Sequence, residues 1–188
     1  MLKTIFLFII FNICIYAHPH VFFTGAFDLN VQDNEVKTLD VTVYLDEMNT
    51  ALFTEKIPKG EPITDKNLSF YKDVLQDIRV EWNGKPKNPV PIFKSAAVED
   101  DALKLELELP IYEKIHSKDS ILFAIYDTEY FYTYDYAKED FHINMQNTNF
   151  DAKFSLKENH KKPFYYGMVY PNEYEVKFYW DENSQYYL

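Results

Sequence analysis

Thiol chemistry is almost absent from this chain. Its one cysteine, Cys14, sits in the apolar opening segment, so the rest of the sequence has no disulfide framework, no cysteine-ligated zinc and no cysteine nucleophile. Glycine is scarce as well: four in 188 residues leave no Gly-rich cradle for a phosphate. No Gly-x-Ser-x-Gly elbow and no His-Glu-x-x-His helix occurs. Positive charge is short, with 19 Lys and Arg against 30 Asp and Glu and a formal net charge of -11. That balance disfavours nucleic acid and anionic lipid as partners and favours cations, although plain solubility explains it equally well. Paired carboxylates are expected by chance among so many acids and do not by themselves indicate acid–base catalysis. The reading is therefore of a protein that is not an enzyme.

The one long apolar run is at the start. Lys3 supplies a positive n-region, residues 4–14 an apolar h-region, and Ile15-Tyr16-Ala17 a cleavage site with alanine last, so residues 1–17 read as a secretory signal peptide. The run is too short to span a bilayer, which makes an uncleaved anchor the weaker alternative and implies no direct membrane insertion after cleavage. Phe11-Asn12-Ile13 lacks the small residue that lipoprotein processing wants before Cys14. Cleavage after Ala17 leaves residues 18–188 as one exported domain of 171 residues, long enough for a sizeable core, and loss of Lys3 takes the formal charge to -12.

Residues 18–31 and 35–46 are rich in Val, Phe, Thr, Tyr and Leu and read as strands around a turn at Asp33-Asn34. A hairpin centred there pairs residues whose numbers sum to about 67, which sets His20 beside Glu47 and Val21 beside Asp46. Residues 48–57 read as a short helix or an irregular crossing, and Thr64-Asp65-Lys66-Asn67 as the start of a helix to about residue 76. Residues 78–82 form a strand before the Asn83-Gly84 turn, and residues 86–93 a proline-interrupted edge. Residues 103–109 alternate Leu with Lys or Glu, the pattern of a strand with one wet face. Residues 120–136 give two strands broken at Asp127-Thr128-Glu129, and residues 141–145, 152–156 and 173–180 give three more. The fold class is mostly β (α+β), an antiparallel β-sandwich-like domain with one or two short helices.

Cleavage after Ala17 exposes the terminus His18-Pro19-His20. The square-planar mode of binding copper or nickel through an amine, two deprotonated amides and a third-residue imidazole needs an N–H on residue two, which Pro19 lacks. What remains is chelation by the α-amine and imidazole of His18, with His20 on the same strand face. A carboxylate from Asp46 or Glu47 would complete a site for zinc, nickel or cobalt, and copper also fits. The plainer alternative is that two histidines at a frayed terminus bind nothing specific and His20 caps a strand edge, but terminus, spacing, hairpin partner and acidic charge together favour the metal. Asp127 is either a turn residue or a ligand, the two readings weighing about the same. His142 could join the site if the fold brought it near, a satisfied half-buried histidine being the simpler reading, whereas His116 and His160 read as surface residues.

Four short stretches, Ala17-His18-Pro19-His20-Val21-Phe22, Leu45-Asp46-Glu47-Met48, Val80-Glu81-Trp82-Asn83-Gly84-Lys85-Pro86 and Ile125-Tyr126-Asp127-Thr128-Glu129-Tyr130-Phe131, resemble motifs of the exported proteins of domain-of-unknown-function family 1007. The opening motif is the most specific. The resemblance implies a periplasmic component of a metal transport system that passes a divalent ion to or from an inner-membrane permease. It carries the metal role onto His18, His20, Asp46, Glu47 and Asp127. Lys59-Gly60-Glu61-Pro62-Ile63-Thr64 departs from the calcium-loop-like segment of many relatives, and Thr128-Glu129 replaces their Pro-Thr. The alternatives are a copper-dependent redox enzyme built on the terminal histidine and a metal-free interaction module that docks a transporter.

Overall fold

Alternation and two left-handed turns build the first layer. In the computed structural model, which describes residues 21–181, β1 (Val21–Gln32) and β2 (Glu35–Leu45) form an antiparallel hairpin. Asp33 and Asn34 close it at φ 54° and 59°, a conformation that short polar side chains tolerate. The pairing begins as expected, with Gln32 opposite Glu35, and then shifts by one residue beside Asn30 and Val31. Beyond the bulge Phe23 faces Leu45 and partner numbers sum to 68, and β2 ends at Leu45. The expected pairing of Val21 with Asp46 is therefore replaced, because the bulge absorbs one residue of β2 and keeps Val36, Leu39, Val41, Val43 and Leu45 on the buried face.

Asp46 ends the strand by capping α1 (Glu47–Thr54): its Oδ1 accepts from the backbone N of Asn49 at 2.8 Å. The expected helix from Thr64 is shorter than the sequence suggests. Residues 64–70 form turns, in which Asn67 Oδ1 accepts from the Thr64 N–H, and α2 covers only Tyr71–Asp77. Leu68 and Phe70 are spent on core burial in those turns, at 3 % and 1 % exposure.

The remaining elements are β3 (Ile78–Trp82), β4 (Lys85–Lys87), β5 (Ile92–Glu99), β6 (Ala102–Lys114), β7 (Ser120–Ile125), β8 (Tyr132–Asp135), β9 (Phe141–Gln146), β10 (Phe150–Glu158) and β11 (Asn172–Trp180). One sheet runs β5-β6-β2-β1-β8, with β9 also on β1, and the other runs β10-β11-β7-β3-β4. Most neighbours are antiparallel. The exceptions share the outer edge of β1, where β8 pairs parallel with its first residues and β9 parallel with its last. The Asn83-Gly84 turn closes the β3–β4 hairpin at φ 52° and 72°; the single edge expected over residues 86–93 is split, with Pro86 in the short edge strand β4 and residues 92–93 opening β5 of the other sheet, because Pro89 and Pro91 interrupt the run between them.

The two sheets pack face to face through aromatic rings, as a β-sandwich-like α+β fold. Phe27 of β1 meets Phe123 of β7 and Tyr174 of β11, each at 5.4 Å between centroids. Leu103, Leu105, Leu107 and Leu109 of β6 are all buried, while the lysine and glutamates between them face outward, as their alternation predicts. This packing fixes the end of β1 at which Val21 stands, beside both helices and the bend before β8.

Candidate functional site

A cavity of about 460 Å³ opens at the first described residue of β1. Val21 forms part of its wall, and the Val21 N–H donates to the Phe131 carbonyl at 3.1 Å, which ties β1 to the bend between β7 and β8. α1 contributes Asn49, Leu52 and Phe53 to the lining, and α2 contributes Asp73 and Asp77. The bend adds Asp127 and Glu129. Four carboxylates thus line one cavity, and no lysine or arginine of the described residues lines it.

Each acid is placed by a local rule. Asp127 builds the bend: its Oδ1 accepts from the backbone N of Glu129 at 2.9 Å, and its Oδ2 from those of Phe131 at 2.7 Å and Tyr132 at 3.1 Å. This is the turn role expected of an aspartate after an apolar strand. Asp73 and Asp77 are four residues apart on α2 and so face the same way. Each is met by a tyrosine of β8, with Tyr132 Oη donating to Asp73 Oδ2 at 3.1 Å and Tyr134 Oη to Asp77 Oδ2 at 2.7 Å.

Asp77 is the deepest of the four, with the residue only 7 % exposed. Burial pushes its carboxyl up to about 7; the Tyr134 hydrogen bond opposes this, and the nearby Asp127 charge adds to it. Burial and the neighbouring Asp73 push the Tyr132 hydroxyl up to about 12, and burial with Asp77 holds Tyr134 well above the ordinary phenol range. Both phenols are therefore fixed proton donors at physiological pH. The result is a concentration of negative charge, partly withheld from water; the Arg79 charge opposes the rise at Asp77 only in part, and Arg79 does not line the cavity.

Of the residues singled out from sequence, the structure brings Asp127 into this cavity. Asp46 and Glu47 stand at the start of α1, one helical turn from Asn49, and neither lines the cavity. Glu47 is exposed in the first turn, and both Asp46 oxygens serve Asn49. His18 and His20, like the signal segment, lie outside the described residues; in sequence His20 directly precedes Val21 of the cavity wall.

His142 lies elsewhere. It is opposite Asp28 across the β1–β9 pairing, and its Nδ1 is 3.7 Å from Asp28 Oδ1. Asp28 follows Val21 by seven residues on the strand, a run of about 23 Å. There His142, Asp28, Asp40 and Glu108 stand opposite one another across four strands of the sandwich's outer face. His116 and His160 are surface residues, each beside one carboxylate at 3.1 Å.

Asp73 and Asp77 were missed from sequence because acids in a short amphipathic helix read as its wet face. The available signal is spacing: Tyr71, Val74 and Asp77 recur every three residues and are all buried, so Asp77 falls on the apolar stripe. Among the described residues no three His, Cys, Asp or Glu side chains are grouped to hold a metal ion by themselves. A metal at this cavity would need donors from beyond them.

The family model described as a protein of unknown function (DUF1007) matches residues 3–163, and the chain belongs to that family. No curated protein matches the chain. No helix among the described residues is long and apolar enough to cross a membrane.

Proposed function

We propose that the protein is a periplasmic transition-metal-binding accessory protein that carries zinc, nickel or cobalt to or from an inner-membrane permease. It binds the ion without transforming it. The observation that carries this reading is the carboxylate-lined cavity at Val21, placed where the chain arriving from His18 and His20 enters β1. Signal cleavage after Ala17 makes the His18 amine a donor alongside its imidazole. In sequence His18 precedes Val21 of the cavity wall by three residues, and three residues of fully extended chain span at most about 10 Å. Nitrogen donors from the terminus with oxygen donors from the cavity form a set suited to borderline divalent ions. Copper fits the nitrogen donors too.

Exposed apolar side chains of α1 supply a docking contact for the permease. Met48 is 71 % and Leu52 61 % exposed, and Leu52 lines the cavity mouth. The test is calorimetric titration with zinc, nickel, cobalt and copper chlorides of protein beginning at His18. His18→Ala is expected to weaken binding of the preferred ion at least a hundredfold and His20→Ala at least tenfold. Wild-type affinity in both variants would overturn the assignment.

A further inference from the structure

We propose that the cavity and the outward face of α1 form one docking surface for a partner segment that lays apolar side chains on Met48 and Leu52 and extends an arginine or lysine into the acid-lined cavity. The inference rests on the docking contact of the reading above and names the chemistry of the partner. It requires no metal ion, so the two can fail separately.

The amphipathic pattern of α1 is inverted. A helix on a sheet ordinarily buries an apolar stripe and turns its polar side to water. In α1 the buried residues are Asn49 and Thr50, whereas Met48, Ala51 and Leu52, at spacings of three and four, are exposed on one face. Polar bonds hold the inner side: Thr50 Oγ1 accepts from the Leu103 N–H at 2.7 Å and donates to the Leu45 carbonyl at 3.3 Å, and the Asn49 amide nitrogen donates to Asp46 Oδ2 at 3.2 Å. These bonds fasten α1 to β2 and β6 and leave Met48 and Leu52 turned outward. Leu52 continues from that face into the cavity wall, where Phe131 of the bend is also exposed. A single exposed leucine needs no explanation, but an apolar helix face that runs into a cavity has the form of a contact surface.

Charge decides what the surface takes. Asp73, Asp77, Asp127 and Glu129 line the cavity, and no lysine, arginine or histidine of the described residues does. The bonds that Asp73 and Asp77 accept through Oδ2 come from uncharged phenols. The Arg79 guanidinium is directed elsewhere: it donates to the Gln76 and Ile78 carbonyls and lies over the Tyr126 ring at 5.1 Å. A cation supplied from outside relieves the repulsion among the four acids, and a guanidinium can pair with a carboxylate through two bonds at once. A segment bearing carboxylates or phosphates meets like charge there and is rejected. A second copy of this chain is a poor occupant for the same reason, since it carries 30 Asp and Glu against 19 Lys and Arg.

The test is fluorescence anisotropy on protein beginning at His18, in buffer with a chelator. The probes are labelled, end-blocked peptides of alanine and leucine with a central pair of arginines, and the same peptides with methionine or glutamate in place of the arginines. The arginine peptide is expected to bind at least tenfold tighter than the methionine peptide, the glutamate peptide weakest of all, and the preference to shrink as salt is raised. Asp73→Asn with Glu129→Gln alters two exposed acids, and the asparagine can still accept from Tyr132. This pair should cost the arginine peptide at least fivefold and leave the methionine peptide unchanged. Leu52→Ser should weaken both peptides at least threefold, and Asp28→Asn, on the outer sheet face, should weaken neither. Equal affinity for the arginine and methionine peptides would assign the surface to a purely apolar partner and overturn the inference. So would binding of neither peptide, or self-association of the protein that Leu52→Ser abolishes. Zinc titration of the same protein reports on the metal-binding reading independently of all these outcomes.

Discussion

Replacing Tyr174 by alanine is expected to lower the free energy of unfolding by about 4 kcal/mol. The residue has no exposed surface, and its ring is where the two sheets meet. Phe123 stacks on it at 5.1 Å, with Tyr136 at 5.5 Å, Phe141 at 5.0 Å and Phe27 at 5.4 Å around it. Alanine would leave a ring-sized cavity among side chains drawn from both sheets, and close-packed rings anchored in strands cannot collapse into it. The phenol also donates to the Ala137 carbonyl, which ties the chain between β8 and β9 to β11. Tyr174→Phe keeps the packing and loses that bond, for about 1 kcal/mol. Urea unfolding followed by fluorescence measures both. A loss below about 1 kcal/mol for the alanine variant would show that the aromatic cluster does not hold the sandwich together.

Asp77→Asn is expected to act in the opposite direction on metal-free protein, stabilising it by about 2 kcal/mol at pH 8 and leaving it nearly unchanged at pH 4. Burial raises the folded-state carboxyl from 3.8 to about 7, so between those values the folded protein holds a proton that the unfolded chain has released. Stability therefore falls as pH rises from about 4 to about 7, and above 7 the full cost of the buried charge remains. The gap between the two values corresponds to roughly 4 kcal/mol at most, and solvent at the cavity mouth reduces this to about 2 kcal/mol. Asparagine carries no charge at any pH and removes the effect. Guanidinium unfolding at pH 4, 6 and 8 would show the two proteins diverging with pH; parallel curves would mean that Asp77 is not the buried acid described.

Much of the fold was legible because it follows from local chemistry. The Asp33-Asn34 and Asn83-Gly84 turns occur where the sequence places them, with left-handed backbones at both. The strict alternation of β6 gave its buried face directly. Less legible was whatever depends on distant partners. Nothing near Tyr132 or Phe141 states that both strands will pair parallel with β1, since parallel pairing is decided by what neighbours the strand and not by its own pattern. The bulge in the first hairpin escaped for a related reason: one extra residue in β2 is visible only when two buried faces must be kept in step.

The site divides in the same way. Asp127 was identified as a turn residue or a ligand, and its three backbone hydrogen bonds account for the turn. The hairpin argument pointed to Asp46 and Glu47 because they are close to the histidines in register, yet Asp46 is used to start α1. The acids that line the cavity from α2 are more than 50 residues from the terminus in sequence, and only the packing of α2 against β8 brings them to Val21.

The claim that the free histidine terminus and the acid cavity together hold a metal ion is tested most directly by one comparison. Zinc, nickel and cobalt are titrated into protein beginning at His18 and into the same protein with a methionine added before it, which moves the α-amine off His18 and leaves every described residue unchanged. The account predicts one-to-one binding of a preferred ion that weakens at least a hundredfold in the extended protein. Equal affinity in the two proteins, or no binding in either, would contradict it.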